Sequence, residues 1–527
     1  MKKNKFYITT PIYYVNANPH IGHAYTQIAV DVLARYHKML GEDVFFLTGT
    51  DEHGEKIEEA ALKSGLEQGR EKEFVDKIVP NFKNVWEILN IKYDYFIRTT
   101  DEMHKKQVQE FLTAMKENGD IYQGEYDGWF CVPCETFWTD SQAKDGICPE
   151  CNRKLQHIKE KNYFFKMSKY QDWLVSYIKE NQDFIMPEYR KNEVLGFLRE
   201  NLNDLCVSRP RNRMSWGVEL PFDKDYVVYV WFDALINYAS GLYACREFDK
   251  YWPADIHVIA KDILRHHAVY WPIMLKSAGI ELPKTIFAHG WWKMGDEKMS
   301  KSKGNIADPV ELTQKYGVDP LRYFLLKTIT FGLDGNFSED ALINIYNSDL
   351  ANDLGNLLNR TLTMVEKYFE GAAPKAPLEN NFTKEQFIRS LDMRETVREL
   401  FPKIKEYMLS PKLLLKETLE EIMALVGKAN KYIEQSAPWT YAKQNNMEAI
   451  QLILADLLEV LRCSAIALFP FMPQTAQRIW NQLGLEGQVD DISDKEELCA
   501  VKNKDNWRKF PSGTKTAKKD PLFPRIQ

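Results

Sequence analysis

A strand, a tight turn and a helix start follow one another close to the N-terminus, and this run limits the fold more than anything else in the chain. Phe6-Tyr7-Ile8-Thr9-Thr10-Pro11-Ile12 is an apolar strand, and Pro19-His20-Ile21-Gly22-His23-Ala24-Tyr25 opens a helix. Ile21, Ala24, Ile28, Val32 and Tyr36 share one face of that helix, and Gly41 is its stop. Val44-Phe45-Phe46-Leu47 then reads as a short strand apolar on both faces, the kind buried in a parallel sheet. Strands and helices alternate over residues 5–100, the pattern of an α/β fold.

The same run carries chemistry. A strand, a turn and a helix N-terminus make an anion site, because free N–H groups and the helix dipole point at one place. Gly22 lets a flat nucleobase or ribose approach the backbone. His20 and His23 stand one turn apart, placed to donate to phosphate oxygens as charge builds up at phosphorus in a transition state. Taken alone, His-x-Gly-His is equally an ordinary helix start. Far downstream, Lys298-Met299-Ser300-Lys301-Ser302, followed by Lys303-Gly304-Asn305, reads as a mobile cationic loop able to clamp phosphate, with a solvated charge run as its plain alternative.

Strand ends mark further candidates. Val44–Leu47 runs into Thr48-Gly49-Thr50-Asp51-Glu52-His53-Gly54, so Asp51 lies where open α/β sheets gather ligand groups. A carboxylate there can pair with an ammonium group, or it is a turn aspartate. Ile256-His257-Val258-Ile259-Ala260 ends in Lys261-Asp262, again at a sheet mouth. In the following helix Ile263, His267, Tyr270 and Trp271 share a face, a pattern that suits core packing as well as a ligand pocket.

Cys131-x2-Cys134 and Cys148-x2-Cys151 have the spacing of a zinc knuckle, with Gly128, Pro133, Gly146 and Pro149 supplying turns. Four thiolates close a tetrahedral shell, so the zinc is expected to be structural. Cys206, Cys245, Cys463 and Cys499 fall outside the pattern. Clustered cysteines fit a metal site in a reducing compartment better than a disulfide framework. The N-terminus leads straight into a strand without a signal-peptide region, and no apolar run is long enough to span a membrane, so a cytoplasmic location is expected. At 527 residues three or four domains are expected. A net charge of −6 does not advertise a nucleic-acid binder, although a local basic surface suffices for a folded RNA.

From about residue 345 the chain reads as helical to its end. Asn352, Asn356 and Arg360 recur every four residues and so share a helix face. Amides and a guanidinium in one stripe can read unpaired base edges, and Trp439 offers a stacking plate; ordinary capping and packing is the alternative.

The His20–His23 and Lys298–Ser302 motifs, in this order and at this separation, resemble those of a class I aminoacyl-tRNA synthetase. The surrounding residues resemble the bacterial-type methionyl-tRNA synthetases from Tyr7 to about Pro524. The resemblance implies an α/β Rossmann-like parallel-sheet catalytic domain in two halves, 1–115 and 223–285, interrupted by a connective insertion with the zinc knuckle, 116–222. A loop and stem-contact region would follow at 286–345, an α-helical bundle anticodon-binding domain at 346–495, and a segment packing back on the body at 496–527.

The implied activity is that of a methionine–tRNA ligase, which activates L-methionine with ATP to methionyl-adenylate and pyrophosphate and then charges the 3′ end of tRNA(Met). The resemblance makes His20, His23, Lys298 and Lys301 catalytic, and adds Gly22, Lys261 and Asp262 to the ATP site, with Asp262 on the ribose. It places Ile12, Tyr14, Trp231, Ala234, Leu235, Tyr238, Ile263, His267 and Trp271 around the methionine side chain, and Asp51 on the α-amino group. Aromatic rings suit a polarizable thioether. Leu235 stands where some members carry proline. Arg209 is a candidate active-site arginine, with Arg211 and Arg213 close enough to leave the choice open. Asn352, Asn356, Arg360 and Trp439 would read the CAU anticodon.

One structural zinc per chain on Cys131, Cys134, Cys148 and Cys151, and Mg²⁺ with ATP, are the implied cofactors. A monomer is expected unless a C-terminal dimerisation module has been removed. Three alternatives remain: a small-molecule nucleotidylyltransferase with the same His-x-Gly-His motif, a sister class I synthetase, and a non-catalytic RNA-binding zinc module.

Overall fold

Apolar strands joined by helical crossovers cannot pair as hairpins, and in the computed structural model they form one parallel sheet. The structure describes residues 4–132, 136–138, 140, 143–149, 151–294, 297–298, 307–377, 383–409, 411–490 and 509–527. The chain divides into two units, one of Asn4–Val30 with Val44–His289 and the other of Asp31–Asp43 with Gly290–Gln527.

The first unit is built on six strands: β1 (Lys5–Tyr14), β2 (Asp43–Asp51), β3 (Tyr95–Arg98), β4 (Ile185–Met186), β5 (Ile256–Ala260) and β6 (Thr285–His289). Their order across the sheet is β3-β2-β1-β5-β6-β4. Ile8 pairs with Ile256, Leu47 with Tyr95, Ile256 with Thr285 and Ile286 with Ile185, all in parallel. From β1 the chain moves outward through β2 and β3, whereas β5 and β6 build the other side. The direction of winding therefore reverses between β1 and β5, the place where open α/β sheets bind ligands beyond their carboxyl ends. Ile12 to Tyr14 form the end of β1, and the start of helix α1 (Ile21–Met39) and Lys261-Asp262 follow the ends of β1 and β5.

Helix α1 forms as its periodicity requires. Ile21, Ala24, Ile28 and Val32 are fully buried, and Gly41 takes φ +83°, a conformation that suits glycine at a helix end.

Within 116–222 the chain makes a long antiparallel hairpin, Ile121–Cys131 with Gln156–Phe165, flanked by Thr136–Trp138 and Leu205–Cys206. Two residues of this stretch, Ile185 and Met186, return to the parallel sheet as its edge strand β4. After it, Asp223–Val228 pairs antiparallel with Ser208–Pro210, and the parallel sheet is rejoined only at Ile256.

Among the described residues the second unit is helical from Pro309 to Gln482 apart from the short strand Gly335–Asn336; residues 509–527 form no helix, against the expectation of helix to the end, and Lys515 instead bridges antiparallel to Ala372. The centre of the unit is the helix Met447–Leu468, buried on nearly every face, as expected for a helix apolar all round. The helices Lys384–Met408, Leu415–Ser436 and Pro473–Gln482 pack against it. At the C-terminal end Leu522 and Phe523 are buried, Phe523 edge-on to Tyr346, and Asn347 exchanges two hydrogen bonds with the backbone of Ile526. Among the described residues no helix is long and apolar enough to cross a membrane.

Candidate active site

At the head of α1 the backbone sets the state of both histidines. The Gly22 N–H donates to Nδ1 of His20 at 3.0 Å, and the His20 N–H donates to Nδ1 of His23 at 3.3 Å. A ring nitrogen that accepts carries no proton, so each neutral imidazole holds its proton on Nε2, on the far side of the ring. The two rings stack, with centroids 3.8 Å apart and planes at 18°. Tyr13 supports His23 at 4.8 Å and is itself backed by Phe82 and Trp86. A Cβ on residue 22 would stand 2.9 Å from Cε1 of His20, so the space this glycine leaves is filled by the His20 ring.

Across the switch point β2 ends at the buried Asp51, and Glu52 beyond it is clamped by both arms of Arg98 at 2.7 and 2.8 Å and by the hydroxyls of Thr50 and Thr100. The next residue, His53, belongs to a network that sequence reasoning missed. The Asp233 carboxylate accepts from His53 Nδ1 at 2.6 Å and from His104 Nε2 at 2.8 Å, and His104 Nδ1 lies 2.7 Å from the Ser240 hydroxyl. Burial alone would raise the Asp233 pKa, but the two imidazoles hold it down to about 2. The signal was an aspartate inside Val227-Val228-Tyr229-Val230-Trp231-Phe232-Asp233-Ala234, since a charge in so apolar a run needs partners when buried. His104, on an ordinary amphipathic helix, gave none.

The expected methionine-pocket residues gather around one aromatic cluster. Leu235, Tyr238 and Trp271 lie inside the core of the unit, and Ile12, Tyr14, Trp231 and Ile263 pack against it half-buried. Ala234 and His267 are buried beside them in sequence. His267 Nδ1 meets the Ile263 carbonyl at 2.8 Å and Nε2 meets the Tyr238 hydroxyl at 2.7 Å. Burial pushes His267 down to about 4, so the ring is neutral. Beneath Tyr238, at 4.1 Å, lies the fully buried His257, which bonds the Thr9 hydroxyl and the Trp271 indole. Residues 266–270 form a π-helical turn, a deviation common at functional sites. Lys261 is half-buried and Asp262 exposed in the turn after β5.

Of the three candidate arginines Arg209 is the buried one, its guanidinium 4.7 Å from the Tyr229 ring and 4.9 Å from Phe130. Arg213 pairs with Glu55 and Glu160 at 3.4 Å, and the exposed Arg211 pairs with Glu219.

At the tip of the long hairpin, Cys131, Cys148 and Cys151 bring their sulfurs within 4.8 Å of one another. Cys134 lies outside the described residues. Two buried thiols and one half-buried one at this spacing fit a thiophilic metal ion. The turn is held by Cys148 N–H to the Arg153 carbonyl and by Asn152 at φ +56°. Among the described residues no other cysteine joins the group.

In the second unit Glu297–Lys298 is a short strand antiparallel to Trp292–Met294, so the backbone of Lys298 belongs to a strand rather than to the expected loop. Lys301 lies outside the described residues. Asn352 and Asn356 are exposed and Arg360 is half-buried, paired with Glu434 at 2.6 Å. Asn352 sits in a π-helical stretch, Tyr346–Gly355, and Asn356 begins the α-helix that follows it. Trp439 is 41% exposed at the start of a short helix.

Comparison with known proteins adds to this geometry. The family of class I tRNA synthetases (M) matches residues 6–158 and 153–362, and the anticodon-binding domain of methionyl tRNA ligase matches residues 391–527. The methionine–tRNA ligase of Caldanaerobacter subterraneus subsp. tengcongensis is 46% identical over 99% of the chain and 79% of its own length. That of Clostridium tetani is 47% identical over 100% of the chain and 79% of its own length. A solved structure of Mycobacterium tuberculosis methionyl-tRNA synthetase in complex with methionyl-adenylate aligns with a TM-score of 0.90 at 39% identity, covering 99% of this chain and 100% of that one.

Proposed function

The chain belongs to the class I methionyl-tRNA synthetase family, and from that premise we infer that it activates L-methionine with ATP and passes the methionyl group to tRNA(Met). The observation that carries the reading to the residues is the pair of imidazoles at the head of α1, both with Nδ1 accepting from backbone and Nε2 left as the protonated nitrogen.

A methionine carboxylate oxygen attacks the α-phosphorus of ATP. The bond to the bridging oxygen breaks, and pyrophosphate leaves with the charge. No protein nucleophile is required; the protein holds the reactants in line and meets the charge on the non-bridging oxygens. His20 and His23 donate to those oxygens, beside the positive end of α1. Lys298 and Lys301 neutralise the departing pyrophosphate. Asp262 takes the ribose, Lys261 contacts adenosine or substrate, and Gly22 belongs to the ATP site by making room for the His20 ring. Asp51 pairs with the α-ammonium group. Arg209, buried beside Tyr229, is the arginine we favour for the site. Ile12, Tyr14, Trp231, Ala234, Leu235, Tyr238, Ile263, His267 and Trp271 enclose the side chain. The 3′-terminal hydroxyl of the tRNA then attacks the activated carbonyl and AMP leaves.

Mg²⁺ arriving with ATP supplies further charge neutralisation on the polyphosphate. Cys131, Cys148 and Cys151, together with Cys134, would hold one zinc ion with a closed shell and a structural role. Asn352, Asn356, Arg360 and Trp439 are the readers of the anticodon. The domain limits proposed are 1–115 and 223–285 for catalysis, 116–222 for the insertion, 286–345 for the stem-contact region, 346–495 for the anticodon domain and 496–527 for the final segment. The enzyme is read as cytoplasmic, and as a monomer unless a C-terminal dimerisation module has been removed.

A nucleotidylyltransferase shares the histidine motif but has no use for the matched anticodon-binding segment at 391–527. Isotope exchange between pyrophosphate and ATP, run with each amino acid in turn, tests the activation step. Methionine alone should support it, and tRNA(Met) should then release AMP from the preformed adenylate. Absence of methionine-dependent exchange, or exchange with no transfer to tRNA, overturns the reading.

A further inference from the structure

Beyond Asp51 the chain leaves β2, and Glu52, His53 and Gly54 precede the helix Glu55–Lys63. Each of the three is held from outside. Arg98 and Thr99 tie Glu52 to the neighbouring strand β3, the Thr99 hydroxyl accepting from the Glu52 N–H at 2.9 Å. The Trp216 carbonyl accepts from the Gly54 N–H at 3.3 Å. The tie at His53 differs, because its partner Asp233 lies on the helix Val230–Leu235, which belongs to the proposed amino-acid site. Asp233 is ionised at neutral pH, its pKa held down to about 2, so both carboxylate oxygens only accept. His53 Nδ1 and His104 Nε2 therefore carry the protons they share with it. His104, on the helix Glu102–Glu117, takes one oxygen, and the carboxylate cannot turn from His53 without losing that bond. All three side chains are buried. A buried carboxylate costs more desolvation than apolar packing of the same volume, and when every member is satisfied it specifies one geometry.

We propose that Asp233 and His53 are positioning residues whose hydrogen bond sets the Asp51 carboxylate against the ammonium group of the bound amino acid. This rests on the reading of the chain as a methionine-activating enzyme. Attraction between a carboxylate and an ammonium group falls with separation, so the pair contributes to binding only where the carboxylate is held in contact. Asp51 is the last residue of its strand, and the pairing of β2 with β3 ends one residue earlier, at Thr50. The β ladder therefore fixes Asp51 from one side only. His53, two residues on, ties the other side to Val230–Leu235 through one hydrogen bond of 2.6 Å. The spacing between these two parts of the amino-acid site is set by that bond.

The test measures methionine-dependent exchange between pyrophosphate and ATP in the whole chain. The competing inhibitor is the desamino analogue of methionine, which has hydrogen in place of the ammonium group. Asp233→Asn leaves one acceptor for two imidazole donors. It should raise the methionine KM roughly 10-fold, near the lower worth of a hydrogen bond to a charged group. The ATP KM and the inhibition constant of the analogue should stay near wild type. His53→Ala should behave in the same way, and His53→Asn, which keeps an N–H donor, should recover part of the loss. If Asp233→Asn does not fold, the two His53 variants decide by the same comparison. A methionine KM that does not move overturns the proposal. So does an inhibition constant that rises in step with it, because a merely loosened pocket weakens both ligands alike. Wild-type protein without methionine-dependent exchange would instead overturn the functional reading on which it rests.

Discussion

Three imidazoles of the first unit, those of His257, His266 and His267, are held neutral by burial, His267 down to about 4. The direction decides the acid behaviour. Below the ordinary value of 6.5 the unfolded chain takes up protons that the folded chain refuses, so stability present above that pH is lost as pH falls from 6.5 through 4. His267 by itself accounts for ~3 kcal/mol over that window. Asp233 differs: burial opposes its charge, but the two imidazoles hold it down to about 2, so its contribution is lost only as pH falls from 3.8 towards 2. Acid destabilisation should therefore begin with the histidines. Urea midpoints measured between pH 7 and pH 4 should fall steeply for wild type and less steeply for His267→Gln. Equal slopes would mean that His267 does not drive the loss. The histidines at 20 and 23 were legible from their spacing, whereas the tautomer that leaves each proton on Nε2 came from backbone N–H groups whose direction no sequence pattern specifies.

Among the elements, the knuckle and the helical stripe are the two whose chemistry depends on a short segment keeping its geometry. Cys131 closes one arm of the hairpin, and Cys148 and Cys151 sit in the turn that returns to the other. Cys131→Ser should lower bound zinc from one per chain towards none, whereas Cys245→Ser, outside the cluster, should leave it intact. Elemental analysis of freshly purified protein reads this directly, and full zinc retention in Cys131→Ser would remove that residue from the ligand set. In the second unit Trp439 leaves a large ring exposed. Its replacement by Ala removes a stacking surface worth about 1–3 kcal/mol per base. Aminoacylation of tRNA(Met) should drop while pyrophosphate exchange stays near wild type. If charging is unaffected, the ring has no part in RNA binding. Four-residue spacing placed Asn352, Asn356 and Arg360 on one helical face, but the π-helical turn that ends at Gly355 re-phases the first of them, and periodicity cannot register such an insertion.

At the scale of the whole molecule, charge burial separates interactions that hold the fold from those that decorate it. Within the second unit Arg322 and Asp31 meet at 2.7 Å with both side chains wholly buried, and Arg322 also donates to the carbonyls of Phe471 and Pro470. Removing one partner of such a pair strands the other, so Arg322→Ala should cost ~3 kcal/mol of unfolding free energy. Arg360→Ala breaks a pair with the exposed Glu434 and should cost less than ~1 kcal/mol. Denaturation followed by helical signal distinguishes the two; similar losses would refute the ranking. The sequence by itself determined the α/β class, the His20–His23 turn, the cysteine spacing and the family, because each is carried by residues close together in the chain, whose relation is set by covalent geometry and local backbone preference. Only the tertiary structure decided that Asp233 holds His53 and His104, that Arg322 reaches back to Asp31, and that Ile185 and Met186 return to edge the parallel sheet. Such partners are chosen by burial after the strands have crossed over, and a charged residue looks the same to its sequence neighbours whether it ends up paired in the interior or solvated at the surface.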